Sequence, residues 1–299
     1  MANVIKIKKG LDINLKGKAS DVLLNGGKSE SYAIVPDYYN GILPKVVAKV
    51  GEKVKAGSVL MIDKNRPEIK FVSPVSGEVT AVNRGEKRKV LSIVVKPDAQ
   101  IEYEEFGKKN VASLQGAEVK EVLLNAGMWP FIKQRPYDIV AAPLDTPRDI
   151  FVSAFYSAPL APNFDFIVKG QEADFQTGLN ALAKLTNGKV YVGVRSGSVV
   201  SGMKGVEIVE VEGPHPAANV GVQINHIKPV NKGEVVWTVN PADVIVIGRL
   251  FNKGVADFSR MVAITGSETT ERGYVKTISG CTIKSLVNGK VLGQEHIRI

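Results

Sequence analysis

The chain has 299 residues, of which 44% are hydrophobic and 23% are charged, and its formal net charge is +9. This length suits two or three domains with sizeable cores, and its apolar runs are far shorter than the ~20 residues that a membrane-spanning helix needs. The single cysteine, Cys281, excludes an internal disulfide and any iron–sulfur cluster or zinc finger built from cysteines of this chain alone.

The positive charge favours an acidic partner, but it is dispersed along the chain. It concentrates only at residues 6–9 and at residues 84–89 (RGEKRK), and the second stretch is typical of a solvated hairpin tip. Aromatic residues do not alternate with these basic residues as they would in a single-strand binder. We therefore expect no nucleic acid as a partner, and attraction to an anionic membrane surface fits better. The N-terminus lacks the apolar region of a secretory signal, so a cytoplasmic location is expected.

The sequence of the first 97 residues predicts a series of short strands. Residues 1–30 carry β-like pieces at residues 4–7 and 12–15, separated by glycines, and we expect them to pack beside the unit that follows. Residues 41–82 alternate strands with glycine turns, and the last turn is the Pro-Val-Ser-Gly of residues 74–77. A buried strand at residues 90–95 closes the unit.

This pattern resembles the flattened barrel of biotinyl and lipoyl carrier domains, the barrel-sandwich hybrid. Those carriers present a lysine at a hairpin tip for modification. Counted back from the Pro-Val-Ser-Gly turn, that position falls on Arg66. We predict a barrel-sandwich hybrid domain with an N-terminal extension over residues 1–100 that has no carrier arm, and the Arg66 hairpin becomes a candidate contact surface.

The polar stretch at residues 98–112 predicts a domain boundary. Beyond it, helices are predicted at residues 116–126 and 172–186, and strands at 139–142, 150–155, 189–194 and 206–211. Strand, helix and strand in this order indicate a Rossmann-like α/β domain with a parallel sheet, over residues 101–254. The glycines between residues 193 and 205 lead towards another strand, so they predict a turn and not a phosphate-binding loop.

The C-terminal part reads as β-rich. We predict strands at residues 235–239, 243–251, 260–266 and 272–278, and a β-grasp-like segment over residues 255–299. Cys281 lies at the edge of this segment and is expected to be a buried structural thiol. The last residues show no clear closing element, so we expect the protein to continue beyond residue 299.

Two segments are candidates for a site. In residues 127–136 (GMWPFIKQRP), Trp129, Phe131 and Arg135 lie where nucleotide-binding folds often place ligand loops. The bulky side chains would obstruct a phosphate, which leaves a packed connection, an apolar pocket or a partner contact. In residues 213–230, prolines on both sides of His215 predict a rigid loop that suits a ligand edge or a contact with another protein, or a structural turn that starts a helix near Ala217.

Catalytic chemistry has little support in the sequence. The three histidines, His215, His226 and His296, are too widely spread for a metal site to be expected, and we predict that His226 is packed or solvated. The order of these histidines gives no persuasive nucleophilic triad, and no carboxylate pair stands out as an acid–base dyad.

Several long motifs occur in the same order as in a known protein family. Residues 5–19, 127–138, 175–194, 213–230 and 235–254 resemble, in this order, the family of the cytoplasmic A subunit of the Na⁺-translocating NADH:quinone oxidoreductase. The resemblance implies a multidomain α/β protein made of a barrel-sandwich hybrid, a Rossmann-like domain similar to the flavin subunit of respiratory complex I, and a β-grasp segment of the soluble-ligand-binding (SLBB) type. Ala218 departs from the family, where glycine is expected, and the histidines near residues 223–226 are not all retained.

The resemblance also implies a role. The flavin loop of the complex I relatives corresponds here to residues 127–136, filled by Trp129 and its neighbours, so we expect no cofactor on this chain. NADH, flavins and iron centres belong to other subunits of the complex. We expect a peripheral subunit on the cytoplasmic side of the bacterial inner membrane, without catalytic activity of its own, which docks onto a membrane-embedded subunit.

The same hypothesis includes quinone access through an apolar cleft. The expected quinone or partner contacts are Trp129, Phe131, Arg135 and His215. Two alternatives stay open: a stand-alone nucleotide- or flavin-binding enzyme on the Rossmann-like domain, and a carrier protein with a modified lysine.

Overall fold

The computed structural model describes residues 3–293 and residue 297, so His296 lies outside the described part. Its strands are β1 (Asn3–Lys6), β2 (Leu23–Leu24), β3 (Tyr32–Ile34), β4 (Pro44–Val46), β5 (Lys53–Val54), β6 (Val59–Asp63), β7 (Lys70–Val72), β8 (Gly77–Arg84), β9 (Val90–Pro97), β10 (Ile132–Arg135), β11 (Ile139–Val140), β12 (Ile150–Ser153), β13 (Val190–Val194), β14 (Glu207–Glu212), β15 (Val236–Val239), β16 (Ser259–Ile264) and β17 (Gly273–Ile278). Its helices are α1 (Gly116–Asn125), α2 (Phe164–Val168), α3 (Glu172–Ala183), α4 (Val220–Ile227), α5 (Pro241–Lys253) and α6 (Ile283–Val287).

The predicted barrel-sandwich hybrid is confirmed. Two small sheets, in the strand orders β3-β9-β8-β5 and β4-β6-β7, lie within residues 32–97. Fully buried apolar side chains from both sheets and from the hairpin before β7 form its centre: Leu60, Met61, Ile69, Val79, Ile93 and Val95. The basic stretch between β8 and β9 is an exposed tip, as the sequence predicts.

Arg66 lies in the hairpin between β6 and β7 and turns towards its own chain. Its Nε bonds the buried Asp63 carboxylate at 2.8 Å, its Nη1 donates to the Val140 carbonyl at 3.2 Å and its Nη2 donates to the Gly41 carbonyl at 2.9 Å. Only 21% of the side chain is exposed. The position that carriers modify thus fastens the barrel to β11 of the second domain. Its hairpin neighbours Lys64, Asn65, Pro67 and Glu68 are exposed, so the hairpin stays a candidate contact surface.

The second domain is built on a seven-stranded sheet in the order β1-β14-β13-β12-β15-β10-β11. The strands from β1 to β15 in this order are parallel, as predicted. Strands β10 and β11 form an antiparallel hairpin on β15. Four of the ten residues of the candidate segment 127–136, Ile132–Arg135, therefore lie in a strand.

The N-terminal segment does not pack beside the barrel as expected. Strand β1 runs parallel to β14, in the register Asn3↔Val209 to Lys6↔Glu212, and β2 runs parallel to β17. Short strands satisfy their backbone groups at any compatible sheet edge. The sequence of such a short strand therefore does not predict which sheet the strand joins.

Helix α5 occupies residues 243–251, where the sequence analysis predicts a strand, so that prediction is wrong. The side chain of Asn240 caps the helix by accepting from Ala242 N–H, Pro241 follows at the first helical position, and Gly254 ends it in a left-handed conformation. Every residue from Val244 to Phe251 is buried. The run Val244–Ile247 consists only of β-branched apolar residues, and periodicity alone cannot distinguish so short a run from a buried strand.

The third unit contains the antiparallel pair β16–β17, with β2 on the other side of β17, and α6. Cys281 is half-buried, not fully buried as expected, and its backbone forms a bridge to Tyr32 of the barrel. Across residues 3–293, none of the helices combines the length and the apolar character that crossing a lipid bilayer requires.

Candidate functional site

A cavity of about 920 Å³ lies where the three units meet. The barrel contributes Tyr39 and Phe71, the seven-stranded sheet contributes Lys133, and the third unit contributes Phe258 and Arg260. This volume is in the range of ligand pockets, which measure roughly 300–1,000 Å³. No single domain could form it alone.

The cavity opens at the carboxyl ends of β12 and β15. The chain runs from β12 to β13 and β14 on one side, and β15 lies on the other side of β12. This reversal of strand order leaves a crevice, which is where open α/β sheets bind ligands. Ser153 at the end of β12, Val239 at the end of β15, and Asn240 and Asp243 at the start of α5 line it.

Aromatic rings form much of the wall. Tyr39 packs edge-to-face on Phe71 with ring centres 4.8 Å apart, and Phe131 packs in the same way on Phe258 at 6.1 Å. Tyr156 adds a further ring, and its hydroxyl donates to Asn240 Oδ1 at 3.2 Å. Such walls favour a planar, largely apolar ligand.

Side chains alternate between the two faces of strand β10, and this places two basic residues on the cavity wall. Ile132 and Gln134 are buried on one face, and Lys133 and Arg135 point to the other, which faces the cavity. Arg135 Nε lies 3.4 Å from Asp138 Oδ1. Burial lowers the pKa of Lys133, and nearby carboxylates oppose this shift.

A second pair lies opposite. Arg260 Nη2 bonds Asp243 Oδ1 at 2.9 Å, and the guanidinium lies 6.0 Å from the centre of the Phe131 ring. Burial raises the pKa of Asp243, which Arg260 counteracts. Burial also raises the pKa of Tyr39 and of Tyr156 to about 12. Both hydroxyls therefore stay protonated at neutral pH. The Tyr156 hydroxyl already donates to Asn240 Oδ1, and the Tyr39 hydroxyl can donate a hydrogen bond to a ligand.

The structure places the four predicted contact residues in different surroundings. Phe131 and Arg135 lie on the cavity wall. Trp129 does not: its ring is fully buried behind the wall, its Nε1 donates to the Ala141 carbonyl at 2.8 Å and it packs on Trp237 at 5.4 Å. A large aromatic side chain with a satisfied N–H is a core residue in this environment.

His215 is not among the residues that line the cavity either. Its Nδ1 is 3.0 Å from Ser157 Oγ, and its backbone N–H donates to Asp12 Oδ1 at 2.8 Å. Its carbonyl accepts from Leu11 N–H at 3.0 Å. The loop therefore anchors the N-terminal segment, and α4 begins shortly after it at Val220.

The sequence analysis missed Tyr39, Asp243 and Arg260 as parts of the site. Tyr39 and Arg260 lie in the first and third units, about 220 residues apart in the chain, and no local pattern brings them together. The Asn240-Pro241 start of α5 is the signal that could have placed Asp243 at a helix N-terminus. Within residues 3–293, no group of His, Cys, Asp and Glu side chains has the arrangement of a metal site.

Three family models match the chain. Residues 5–98 match the NqrA N-terminal barrel-sandwich hybrid domain, residues 114–256 match the NqrA second alpha/beta domain, and residues 261–299 match the NQRA C-terminal domain. Together they cover each of the units described above. This agrees with the predicted barrel, α/β and SLBB-like architecture.

Curated relatives agree over most of the chain. The A subunit of the Na(+)-translocating NADH-quinone reductase of Hahella chejuensis is 37% identical over 293 residues, which are 96% of this chain and 65% of that protein. The proteins of the same name from Neisseria meningitidis serogroup A and from Photorhabdus laumondii are each 35% identical over 297 residues, which are 98% of this chain and 66% of theirs. This chain thus spans about two thirds of the length of these relatives.

Proposed function

This chain belongs to the NqrA family, the A subunits of the Na⁺-translocating NADH-quinone reductases, and on that premise we propose that it is a peripheral subunit of such a complex. The complex would oxidise NADH, reduce a quinone and export Na⁺. The subunit would lie on the cytoplasmic side of the bacterial inner membrane and dock onto a membrane-embedded subunit. NADH, flavins and iron centres would be held by other subunits.

Within this role, we propose that the cavity between the three units receives a quinone ring. The observation that carries this is the combination of aromatic walls with a few polar donors. Rings of Tyr39, Phe131 and Phe258 offer flat apolar surface, and Lys133 and the Tyr39 hydroxyl offer donors. A quinone ring is planar and apolar and carries two carbonyl acceptors, which matches this set.

The rim of the cavity supports docking on that side. Tyr38 lines the cavity and is 77% exposed, and Tyr137, in the turn between β10 and β11, is 78% exposed. Exposed aromatic side chains with a polar tip are typical of protein interfaces and of membrane-interface belts. A partner bound at this rim would cover the mouth of the cavity and could exchange a quinone with it.

A stand-alone nucleotide- or flavin-binding enzyme has weaker support. The cavity lies at the crevice that nucleotide folds use. However, helix α5, which begins at its wall, has Pro241 in place of a free N–H and the carboxylate of Asp243 in its first turn. A phosphate group would meet a negative charge there, which opposes the usual binding of anions at helix N-termini.

The quinone proposal predicts saturable binding to the purified protein. Calorimetric titration with 2,3-dimethoxy-5-methyl-1,4-benzoquinone should show one site per chain, and FMN should not compete for it. Phe131→Ala should weaken binding about tenfold, because it removes one ring of the wall. His215→Ala is the control and should bind as the wild type does, since His215 lies off the wall. Failure of the wild type to bind the quinone saturably would refute the proposal.

Docking needs a separate test. With the other subunits present, we expect the chain to co-purify with the membrane fraction, and the double variant Tyr38→Ser, Tyr137→Ser to be released from it. Retention of this variant on the membranes would show that the rim is not the docking surface.

A further inference from the structure

The charged groups around the cavity do not balance. Three cations, Lys133, Arg135 and Arg260, and two carboxylates, Asp138 and Asp243, line it. Arg135 is paired with Asp138 and Arg260 with Asp243. Among the described residues, no carboxylate lies within salt-bridge distance of the Lys133 ammonium, which leaves one cation of the cavity without a partner.

The position of Lys133 is fixed by the sheet. Strand β10 is hydrogen-bonded on both sides, and Lys133 stands in register with Thr238 of β15 and with Val140 of β11. Its Nζ lies 5.4 Å from the centre of the Tyr39 ring, on the opposite wall. Contact with a ring face stabilises a cation only modestly. The ammonium is therefore held beside the aromatic wall with unused donor capacity.

We propose that the preferred ligand of this cavity is a planar aromatic or quinonoid ring that carries an ionised oxygen, such as an enolate, a phenolate or a ring carboxylate, and that Lys133 is the residue that recognises this oxygen. The inference rests on the proposed function, because it places the anionic ring where that proposal places a quinone. It adds a preference for charge that the proposed function does not require.

The physical reason is compensation of a partly buried charge. An unpaired cation that is removed from water costs free energy, and a ligand anion restores the lost interaction. A hydrogen bond between charged groups in such a site is among the stronger ones. We expect an ionised oxygen to improve binding about tenfold to hundredfold over a neutral ring of the same shape. For a quinone and its reduction products, the site would favour a deprotonated reduced ring over the neutral quinone.

Two closely matched compounds test this preference. 2-Hydroxy-1,4-naphthoquinone is an acid that is ionised at pH 7.5, and 2-methoxy-1,4-naphthoquinone is a neutral compound of nearly the same shape. We expect the wild-type protein to bind the hydroxy compound at least tenfold more tightly in calorimetric titrations. In Lys133→Gln the two compounds should bind equally, and the affinity for the methoxy compound should change less than about threefold. Lys45→Gln is the control: it removes one charge from an exposed position on β4, outside the cavity lining, and should keep the preference.

The outcomes separate the two proposals. Binding of neither compound by the wild type would remove the proposed quinone site and this inference with it. Equal binding of both by the wild type would overturn the inference and leave the quinone site standing. A preference that survives in Lys133→Gln would overturn the assignment to Lys133. The wild-type comparison does not depend on the folding of any variant, and Lys133→Met provides a second neutral replacement.

Discussion

Gly248→Ala is expected to lower the apparent free energy of unfolding by about 3 kcal/mol, at the upper end of the usual cost of overpacking. Helices α3 and α5 cross here with their backbones in contact. A Cβ on Gly248 would overlap the carbonyl oxygen of Asp174 and would lie 2.7 Å from the backbone nitrogen of Gly178. Because backbone atoms of a helix cannot move aside as a side chain does, the two helices must separate. Urea unfolding followed by circular dichroism measures the effect.

Gly221→Ala is the matched control for this change. Gly221 lies in helix α4, and a Cβ there would meet no atom within 4 Å. The same substitution should therefore be neutral or should stabilise by up to about 1 kcal/mol, the usual gain of alanine over glycine in a helix. Equal unfolding midpoints for Gly248→Ala and the wild type would show that the α3–α5 crossing is looser than the structure has it.

Asp257→Asn is expected to cost about 3–5 kcal/mol at neutral pH, because it removes the closest carboxylate partner of a buried arginine. Arg249 on α5 is 3% exposed and lies 3.1 Å from Asp257 Oδ1. It also donates to Ser259 Oγ at 2.6 Å and to Gln171 Oε1 at 3.0 Å. These contacts join α5 to the start of the third unit. Urea midpoints of the variant and the wild type measure the loss.

The loss should depend on pH. Burial alone would raise the pKa of Asp257, but hydrogen bonds from Ser259 and Lys253 and the charge of Arg249 hold it well below its usual range. A carboxyl whose pKa is lowered by folding stabilises the protein above its unfolded pKa of about 3.9, and this contribution disappears as the pH falls below that value. The difference between wild type and variant should therefore be constant from pH 8 to pH 5 and shrink below pH 4.

Lys253→Gln provides the control for this cluster. Lys253 Nζ lies 3.0 Å from the other oxygen of Asp257, and its side chain is half exposed. An exposed ion pair contributes at most about 1 kcal/mol, so this variant should be nearly as stable as the wild type. A loss in Lys253→Gln that equals the loss in Asp257→Asn would contradict the assigned role of buried Arg249.

The sequence was most informative where the pattern is local. Apolar residues at helical spacing predicted α1 and α3, and α3 ends at Ala183, close to its predicted end at residue 186. The buried strands β12, β13 and β14 lie within a few residues of their predicted positions. The barrel was predicted from its turns, whose glycines and prolines are local signals too.

Predictions that depended on tertiary contacts failed. Helix α5 was taken for a strand because its apolar run Val244–Ile247 is β-branched, although Asn240 and Pro241 are residues typical of a helix start. Strand β1 was assigned to the wrong neighbour, since edge pairing is decided by the whole sheet. No local pattern showed that the Arg66 side chain would turn back to the carbonyls of Gly41 and Val140.

The site was predictable only in part, because tertiary contacts between the three units form most of it. The segment with Phe131 and Arg135 was identified by its composition, and both residues line the cavity. Trp129 shares that composition, but it lies in a short 3-10 turn before β10 and is fully buried behind the wall. The opposite wall comes from the barrel and the third unit, and only the assembled fold brings Tyr39 and Arg260 within reach of Lys133.

The central claim is that the junction of the three units is a binding site for a planar ring. A crystal structure of the protein with 2-hydroxy-1,4-naphthoquinone tests it most directly. We predict the ring between the side chains of Tyr39 and Phe131, with its ionised oxygen within hydrogen-bond distance of Lys133 Nζ. A ring bound elsewhere on the protein, or an empty junction at saturating ligand, would contradict the claim.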